Sequence, residues 1–449
     1  MATRIILVRH GESTFNAQRR VQGHCDDSVL TEAGRIAARQ VGSAIADLPI
    51  SQVYSSPLRR AKATAELIRE NAPQDAPIQR APVQSSPLLM EVNLSAWERL
   101  TFSEVAERFP EDYQQWKTAP HDLRMDIPSP EGAIEYYPVR ALYRQAQQFW
   151  QQILPHHDGQ TILVVGHSGI NRALIQTAIG IEPEGYSRFY ISNCGISVLN
   201  ITGELGHAQL ESLNTVSHLG VSYPPVRSGH VGPRLLLVRH GETNWNRDKR
   251  FQGQIDIPLN DNGRQQAAYC AEFLHEAQID RAVSSSMSRP KETAEIILKP
   301  HIGVALSTMD ELREIGHGLW EGELEPDIEK NYPGLLRQWK DAPETVQMPE
   351  GENLQQVWDR AVAAWQTIVA EAKAGEVILV VAHDAVNKSL LCHLSGLGPD
   401  HFWTFKQGNG AVSVIDYPNG PNGAPLLQSV NITTFLGSGV LDKTAAGAL

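Results

Sequence analysis

Short runs of aliphatic and β-branched residues alternate along the chain with longer stretches in which apolar residues recur at helical spacing. Apolar strands that alternate with helices are typical of an α/β domain with a largely parallel sheet. Such sheets bind their ligands at the carboxyl ends of the strands. In the first half of the chain, the predicted strands are 5–8, 50–54, 162–165 and 198–201, and the predicted helices are 32–46, 61–70, 139–153 and 170–179.

One pattern of residues occurs twice. Residues 7–12 and 237–242 both read Leu-Val-Arg-His-Gly-Glu, and a second histidine closes a later apolar run at 164–167 and at 380–383. The numbering offset between the copies is 230 at the first histidine (240 − 10) and 216 at the second (383 − 167). These matches indicate an internal duplication. The drop in the offset, 14 (230 − 216), is the extra length of the first copy between its two histidines.

The duplication predicts two tandem domains, each with a doubly wound, mostly parallel α/β fold. We place the first domain at 1–223 and the second at 234–437, joined by a stiff linker at 224–233 that is rich in proline and glycine. Residues 438–449 are small and weakly patterned, which predicts a flexible tail. Because both histidines of a copy follow strand ends, we expect them to meet at one site in each domain.

The composition narrows the class of protein. The 449 residues are 41% hydrophobic and 20% charged, as in globular proteins. A formal net charge of −12 argues against binding to nucleic acid or to an anionic membrane. The four cysteines form no CxxC pair, so we expect a reducing compartment and no structural zinc. No apolar run reaches the roughly 20 residues of a membrane span, and the first strand begins too early for a signal peptide, so we expect a cytoplasmic location.

The histidine after the first strand of each copy is a candidate nucleophile. A phosphate monoester carries about −1.5 to −2 charges at neutral pH. Its cleavage needs cations on the phosphoryl oxygens, an in-line nucleophile and an acid for the leaving oxygen. A neutral imidazole can attack phosphorus, which favours His10 and His240 as nucleophiles. The adjacent Arg9 and Arg239 can bind phosphate oxygens in fork geometry.

A second phosphate-binding arginine is expected in the loop after the next strand of each copy. Aligning the copies on Thr64 and Thr293 pairs Arg60 with Arg289 and leaves Arg59 as a solvated neighbour. We therefore expect Arg60 and Arg289 to bind phosphate.

The second histidine and an asparagine complete each expected phosphate pocket. His167 and His383 follow the later strand of each copy. Asn16 and Asn246 open the helix after the first strand, where N-terminal amides favour an anion. Each asparagine can contact phosphate or cap its helix, and the sequence leaves both roles open.

A glutamate in each copy is the candidate general acid. Glu91 and Glu314 lie in matching segments, and each is followed, six positions later, by a tryptophan, Trp97 or Trp320. A glutamate whose pKa is raised can protonate a leaving oxygen and then accept a proton from water.

Together these motifs resemble the histidine phosphatase superfamily, in its phosphoglycerate mutase-like branch. The matching motifs are Arg-His-Gly, Leu-x-Arg-Ala-x-x-Thr, Glu followed by Trp-Glu-Gly, and Val-Val-x-His, and they span nearly the whole chain. The resemblance implies a doubly wound α/β fold, a phosphohistidine intermediate, a small phosphorylated metabolite as substrate, and neither a metal nor another cofactor. By motif, it makes His10 and His240 the nucleophiles and Glu91 and Glu314 the acids.

Three functions stay open at this point: a phosphatase, a phosphoglycerate mutase, and a regulatory protein that only binds a phosphorylated ligand. The sequence separation between the acid and the second histidine is 76 in the first copy (167 − 91) and 69 in the second (383 − 314). Mutases of this family usually carry a longer segment there, so hydrolysis is favoured. A binding protein has no need of the acid.

The copies differ at positions that bear on specificity. The second copy keeps Trp-Glu-Gly, whereas Arg99 replaces the final glycine in the first, which predicts an altered or idle first site. Phosphoserine phosphatases of the family resemble the second copy in placing a histidine three positions after the acid. His317 is therefore a candidate ligand for a substrate carboxylate, and the first copy has Leu94 there. Because the tandem arrangement resembles 2-carboxyarabinitol 1-phosphate phosphatases, we expect a small phosphorylated hydroxy or amino acid as substrate.

Overall fold

The computed structural model describes residues 2–129, 132–437 and 439–445. Its contacts divide the chain into two compact units. The first consists of Met1–Leu210 and Asn214–Val221, and the second of Glu211–Leu213 and Ser222–Leu449. Residues 224–233 lie outside any helix or strand.

The first unit contains a mixed, mostly parallel sheet and a separate two-stranded hairpin. Its strands are β1 (Thr3–Arg9), β2 (Ile50–Ser55), β3 (Val83–Ser85), β4 (Met125–Ser129), β5 (Gly132–Tyr136), β6 (Thr161–Gly166), β7 (Ile196–Ile201) and β8 (Gln209–Thr215). The order in the sheet is β3-β2-β6-β1-β7-β8. β1 and β2 both pair with β6 in parallel, and β7 pairs with β1 in antiparallel orientation. β4 and β5 form the antiparallel hairpin.

The helices of the first unit pack in pairs, α2 against α3 and α7 against α8. They are α1 (Thr14–Ala17), α2 (Glu32–Ala44), α3 (Arg59–Asn71), α4 (Pro77–Arg80), α5 (Phe102–Arg108), α6 (Pro110–Thr118), α7 (Pro138–Ile153) and α8 (Ser168–Ile179). In α7, Leu142, Ala146, Phe149 and Ile153 are all buried. Their recurrence at every third or fourth position places them on one face, which explains why this segment forms an amphipathic helix.

The second unit repeats this plan. Its strands are β9 (Arg234–Arg239), β10 (Arg281–Ser285), β11 (Leu306–Met309), β12 (Val377–Ala382), β13 (Val412–Asp416) and β14 (Leu426–Ile432). Their order is β11-β10-β12-β9-β13-β14. Parallel pairing joins β11 to β10, β10 to β12 and β12 to β9. Strand β13 pairs with β9 in antiparallel orientation. The helices are α9 (Asn244–Arg247), α10 (Asp261–Phe273), α11 (Ser288–Ile297), α12 (Glu325–Asn331), α13 (Leu335–Asp341), α14 (Leu354–Ala370) and α15 (Asp384–Ser395).

None of the helices in the described part of the chain is both long and apolar enough to cross a membrane. Short strands and the helices that cover them form the apolar interior of the second unit. Leu236, Val238, Leu379 and Val381 are fully buried in one apolar cluster. Alternate residues of β9 and β12 thus supply one face of the core, as expected for strands covered by helices.

The extra length of the first copy is divided equally between two places. The sequence separation from first histidine to acid is 81 in the first copy (91 − 10) and 74 in the second (314 − 240). From acid to second histidine the separations are 76 and 69, as given above. Helix α4 lies in the first of these stretches and the β4–β5 hairpin in the second. Neither has a counterpart among the described residues of the second unit.

All the strands and helices predicted for the first half are present, with ends that shift by a few positions. The predicted helix at 170–179 begins earlier, at Ser168, because His167 itself occupies the position before the first helical residue. The hairpin at 125–136 is not among the predicted elements. It lies within a segment whose aromatic and charged residues show neither strand nor helix periodicity clearly.

Part of the predicted flexible tail is held by hydrogen bonds. Thr444 donates its hydroxyl to Asp442 (Oγ1–Oδ1 2.7 Å) and accepts the Asn409 N–H (3.1 Å). These polar contacts are invisible to hydrophobic patterning, and the flexibility of the tail stays a prediction. Residues 438 and 446–449 lie outside the described part of the chain.

Two glycines let the loop after β9 lie directly against the start of α10. A Cβ at Gly241 would lie 2.3 Å from the Gly263 carbonyl oxygen, and a Cβ at Gly263 would lie 2.1 Å from the Glu242 carbonyl oxygen. The first copy has the same contacts between Gly11, Gly34 and Glu12. Close backbone approach thus positions the histidine loop in both copies.

We expect Gly263→Ala to destabilise the second unit by about 1–3 kcal/mol, because the added methyl group would overlap backbone atoms that cannot move aside. Urea unfolding would measure the loss. Asn262→Ala, at the exposed preceding position of the same helix, is the matched control and should change stability little. Equal effects of the two substitutions would contradict the close approach.

Candidate active sites

The two histidines of each copy meet at the carboxyl edge of the sheet. In the first copy, His10 donates its backbone N–H to the Gly166 carbonyl (2.9 Å), which continues the parallel pairing of β1 with β6. The His10 and His167 rings lie edge to face with centroids 5.0 Å apart. The corresponding rings of His240 and His383 are 5.1 Å apart. The predicted convergence is therefore present in both copies.

Each candidate nucleophile is a neutral imidazole held in one tautomer. Nδ1 of His10 lies 2.7 Å from the Gly11 carbonyl oxygen, and Nδ1 of His240 lies 2.7 Å from that of Gly241. A carbonyl only accepts, so Nδ1 carries the hydrogen and Nε2 keeps its lone pair. Burial, followed by the nearby arginines, holds the pKa of both histidines well below the ordinary value. These are the protonation state and tautomer that a nucleophile needs.

The second arginine of each copy is fully buried beside the nucleophile. Arg60 donates to the carbonyls of Cys25 and Gly23, both at 3.0 Å. Arg59, by contrast, is exposed, as the alignment of the copies predicts. Burial lowers the pKa of Arg60, but a guanidinium stays charged at neutral pH.

Arg289 occupies the same place in the second copy. Its Nη2 donates to the Gly253 carbonyl (2.8 Å), and its Nε points at Nε2 of His240 (3.3 Å). Burial lowers the pKa of Arg289 to about 10. Hydrogen bonds to backbone carbonyls thus orient this cation toward the nucleophilic nitrogen without neutralising its charge.

The arginines next to the nucleophiles are held in a similar way. Arg9 donates to the Ile191 carbonyl (2.8 Å), and Arg239 donates to the Gln407 carbonyl (2.6 Å). Arg239 also lies 3.8 Å from the Asp384 carboxylate.

Several polar nitrogens around the nucleophiles are buried without a hydrogen-bond partner. They are Nε of Arg9 and Arg60 and Nδ1 of His167 and His383. A buried polar group left unsatisfied costs free energy. Such a convergence of unsatisfied nitrogens beside cations is the arrangement that an oxyanion would complete.

Two serines that the sequence analysis missed orient the second histidines. Nε2 of His167 lies 2.8 Å from Ser56 Oγ, and Nε2 of His383 lies 2.9 Å from Ser285 Oγ. Both serines stand at the end of the strand next to the histidine strand. Their presence in both copies was visible in the alignment, but serine is too common at strand ends for that match to indicate a role.

The two asparagines complete capping boxes, in which Ser13 and Thr243 are the N-cap residues. Oδ1 of Asn16 accepts the Ser13 N–H (3.2 Å), and Oδ1 of Asn246 accepts the Thr243 N–H (3.1 Å), each within a capping box. This leaves Nδ2 as the atom of each side chain that can donate to an anion. The phosphate contact stays a prediction.

The candidate acid of each copy lies at the start of the helix that follows the second histidine. Glu91 accepts the N–H groups of Gly169 (3.1 Å) and Ile170 (3.2 Å). Glu314 accepts those of Asp384 (3.1 Å) and Ala385 (3.2 Å). Since this helix starts immediately after the second histidine, one helix N-terminus brings acid and phosphate pocket together.

Glu314 has the ionisation expected of an acid–base residue. Burial, followed by the neighbouring Asp384 carboxylate, raises the pKa of Glu314 to about 7, against the opposing effect of Arg289. Its carboxyl group is therefore protonated in much of the population near neutral pH. It can donate a proton in one step and accept one in the next.

A clamp that the sequence analysis missed holds the segment bearing Glu314. Arg360, on α14, donates to the carbonyls of Glu311 (2.8 Å), Arg313 and Glu314 (3.0 Å). The same guanidinium makes two hydrogen bonds of 2.9 Å to the Glu352 carboxylate. The planar fork of arginine suits this bidentate contact.

The first copy uses a neutral residue at the same place. Gln145, on α7, donates to the carbonyls of Leu88 (3.0 Å) and Met90 (2.8 Å), just before Glu91. The two copies have different residue types at this position, arginine in the second and glutamine in the first. Comparison of the two copies in the sequence therefore did not indicate a shared role.

The structure encloses His317 in an aromatic box. Its ring centroid lies 5.2 Å from that of Phe251, 6.0 Å from Trp339 and 6.4 Å from Trp320. Burial lowers the pKa of His317 to about 3, and neither ring nitrogen has a hydrogen-bond partner. Leu94 is likewise buried in the first copy. Binding of a substrate carboxylate by His317 stays a prediction, and it would use a neutral N–H donor.

Arg99 points away from the first site. Its backbone adopts the left-handed conformation (φ 69°), as Gly322 does (φ 85°) in the second copy. The side chain is 64% exposed and pairs with Asp27 at 2.8 Å. The arginine that replaces the glycine therefore points toward solvent, and an altered or idle first site stays a prediction.

Comparison with known proteins gives one family for both halves. Residues 5–215 and 235–431 match the family model described as histidine phosphatase superfamily (branch 1). The chain is 31% identical to a Triticum aestivum protein named 2-carboxy-D-arabinitol-1-phosphatase, over 97% of this chain and 87% of that protein. It is 33% identical to phosphoserine phosphatase 1 of Hydrogenobacter thermophilus, over 45% of this chain and 94% of the relative. The solved structure of Bacillus stearothermophilus YhfR is 31% identical, covers 45% of this chain and 100% of its own, and has a TM-score of 0.42.

We expect infrared titration of the carboxyl bands to give Glu314 a pKa near 7, identified by its loss in Glu314→Gln. Asp384→Asn should lower that pKa because it removes the neighbouring negative charge. A shift of one pKa unit would correspond to about 1.4 kcal/mol. Asp400→Asn, at an exposed position, is the control and should leave the titration unchanged. An unmoved titration in Asp384→Asn would show that burial alone raises this pKa.

Proposed function

Because the chain belongs to the histidine phosphatase superfamily (branch 1), we propose that each copy hydrolyses a small phosphorylated hydroxy or amino acid through a phosphohistidine. The observation that carries the proposal is the same in both copies. A buried histidine uses Nδ1–H to bind a carbonyl, which leaves the lone pair on Nε2, and a buried arginine lies beside it. In the second copy the arginine Nε donates to that Nε2 at 3.3 Å. The leading substrates are 2-carboxyarabinitol 1-phosphate and phosphoserine, in keeping with the names of the relatives.

In the first step, Nε2 of His240 attacks phosphorus in line with the ester oxygen. The N–P bond forms as the P–O ester bond breaks, and Glu314 gives its proton to the departing oxygen. The charge of the phosphoryl oxygens is balanced by Arg239 and Arg289, and the neutral second histidine can donate a hydrogen bond to them through Nδ1. His10 and Glu91 perform the same step in the first copy.

In the second step, water attacks the phosphorus of the phosphohistidine. The ionised Glu314 accepts a proton from that water, the O–P bond forms and the N–P bond breaks. Inorganic phosphate leaves, and both Nε2 and the protonated glutamate are restored. A pKa near 7 suits Glu314 to both steps, since the same group must lose and regain one proton in each cycle.

The arginines supply the positive charge that phosphoryl transfer requires. In the second copy the nucleophile and both arginines are almost entirely buried, so their interactions with phosphate are only weakly screened by water. Because this charge comes from the protein, we expect phosphate release without added metal.

Single substitutions of the nucleophiles should distinguish the activity of one copy from that of the other. We expect His240→Ala to abolish phosphohistidine formation in the second copy and His10→Ala to abolish it in the first, while the double variant releases no phosphate. The measurement is phosphate release, with a metal chelator present, from O-phospho-L-serine, 2-carboxyarabinitol 1-phosphate and D-3-phosphoglycerate. Full activity of the double variant would refute the mechanism. Isomerisation of 3-phosphoglycerate without phosphate release would identify a mutase instead.

Replacing the acid should matter most for poor leaving groups. In a His10→Ala background, we expect Glu314→Gln to slow hydrolysis of an alkyl ester by roughly 10²- to 10⁴-fold, because its leaving oxygen needs a proton. Hydrolysis of p-nitrophenyl phosphate should fall much less, since nitrophenolate departs without protonation. Comparing kcat/KM for the two esters checks the role. Equal losses on both would make Glu314 a binding residue.

A further inference from the structure

The helix that follows the second histidine carries different charges in the two copies. Its first residue and its fifth residue lie on the same face, one turn apart. At these positions the first copy has Ser168 and Arg172, whereas the second copy has Asp384 and Lys388. The first N–H groups of this helix bind the candidate acid in both copies. In the proposed mechanism, these side chains therefore lie on the leaving-group side.

In the second copy, the cation on this helix is neutralised. Lys388 donates to Asp384 Oδ2 at 2.9 Å, and both side chains are buried. The ammonium group also lies over the rings of Trp403 (4.6 Å) and Phe402 (5.2 Å). This buried pair adds no net charge beside Glu314.

In the first copy, the corresponding cation has no counterion. Arg172 lies over the ring of Tyr186, with 4.9 Å between guanidinium carbon and ring centroid. Its Nε is buried without a hydrogen-bond partner, and no carboxylate among the described residues forms an ion pair with it. Ser168 cannot neutralise it. Among the described residues, Arg172 therefore has no carboxylate within ion-pair distance, in contrast to Lys388.

Tyr186 places this cation next to the candidate acid. A Cβ built at Gly169 would meet both Oε1 of Glu91 (2.4 Å) and the hydroxyl of Tyr186 (2.7 Å). The hydroxyl and the carboxylate thus both lie on the side of Gly169 where a side chain would stand. Burial raises the pKa of Tyr186, which keeps this hydroxyl a donor. In the second copy alanine replaces the glycine and phenylalanine replaces the tyrosine, so neither the space nor the hydroxyl is present.

We propose that Arg172 and Tyr186 form a leaving-group subsite for a carboxylate, so that the first copy prefers phosphorylated hydroxy acids and the second prefers phosphorylated amino acids. The inference rests on the proposed function. A hydroxy acid presents one negative charge beyond its phosphate, which matches the guanidinium of Arg172. An amino acid presents a zwitterion with no net charge, which matches the neutral Lys388–Asp384 pair, and its ammonium would be repelled by Arg172.

Two substrates isolate the charge difference. L-3-phosphoglycerate and O-phospho-L-serine share phosphate, chain length, carboxylate and configuration, and they differ only in having a hydroxyl or an ammonium group on the second carbon. The measurement is the ratio of their kcat/KM values, in His240→Ala for the first copy and in His10→Ala for the second. We expect the ratio of kcat/KM for phosphoglycerate to kcat/KM for phosphoserine to be at least about tenfold higher in the first copy than in the second. A tenfold difference is the size of effect expected from one charge-assisted hydrogen bond.

Exchanging the helix residues should exchange the preference. Ser168→Asp in the His240→Ala background should move the ratio toward phosphoserine by about tenfold, and Ser168→Asn is the matched uncharged control that should not. Asp384→Ser in the His10→Ala background should move it toward phosphoglycerate. Because that change leaves Lys388 buried and unpaired, Asp384→Ser with Lys388→Arg, which reproduces the pair of the first copy, serves as the second variant. Effects on phosphate binding or on the acid cancel in the ratio.

Equal ratios in the two single-copy proteins, or a ratio that responds alike to Ser168→Asp and Ser168→Asn, would overturn the inference while leaving the phosphatase assignment intact. Absence of phosphate release from both esters in both proteins would instead refute the proposed function, and the inference would fail with it.

Discussion

The parallel pairing of β1 with β6, and of β9 with β12, is the contact on which each site depends. It places the residue after the first strand beside the residue after the later strand, and those residues are the two histidines. The later strand leads directly into a helix whose first N–H groups bind the candidate acid. One strand pairing therefore positions the nucleophile, the second histidine and the acid, although in the first copy these are residues 10, 167 and 91, far apart along the chain.

Burial then sets the ionisation of these groups in opposite directions. It lowers the pKa of the histidines and raises that of Glu314, because each charged form loses its hydration. The arginines keep their charge because their intrinsic pKa is far higher, and their unsatisfied nitrogens are left for an anion. A neutral nucleophile, a protonatable carboxyl and fixed cations thus follow from the same dry environment, and that combination is what phosphoryl transfer to histidine requires.

The duplication has preserved this core and changed what surrounds it. The strands, the histidines, the arginines and the helix carrying the acid contacts recur in both copies. The differences lie in the clamp behind the acid, arginine in one copy and glutamine in the other, and in the charges along the helix after the second histidine. These positions contact the segment that carries the candidate acid or lie on the helix that binds it, and Asp384 also lies 3.8 Å from Arg239, so the differences surround the shared histidines and arginines without replacing them.

The sequence by itself determined the α/β alternation, the duplication and the identity of the residues that converge, because apolar periodicity and repeated motifs are local properties. Arg60 could be chosen over Arg59 from the alignment of the copies alone. What only the tertiary structure decided were the tautomer of each nucleophile, the contact between Asp384 and Glu314, and the clamp formed by Arg360. Each of these depends on a distance between atoms, and the last two join groups that are widely separated along the chain. The hydrogen bonds of the tail and the pairing of Arg99 with Asp27 likewise join groups far apart along the chain, which local sequence patterns do not reveal.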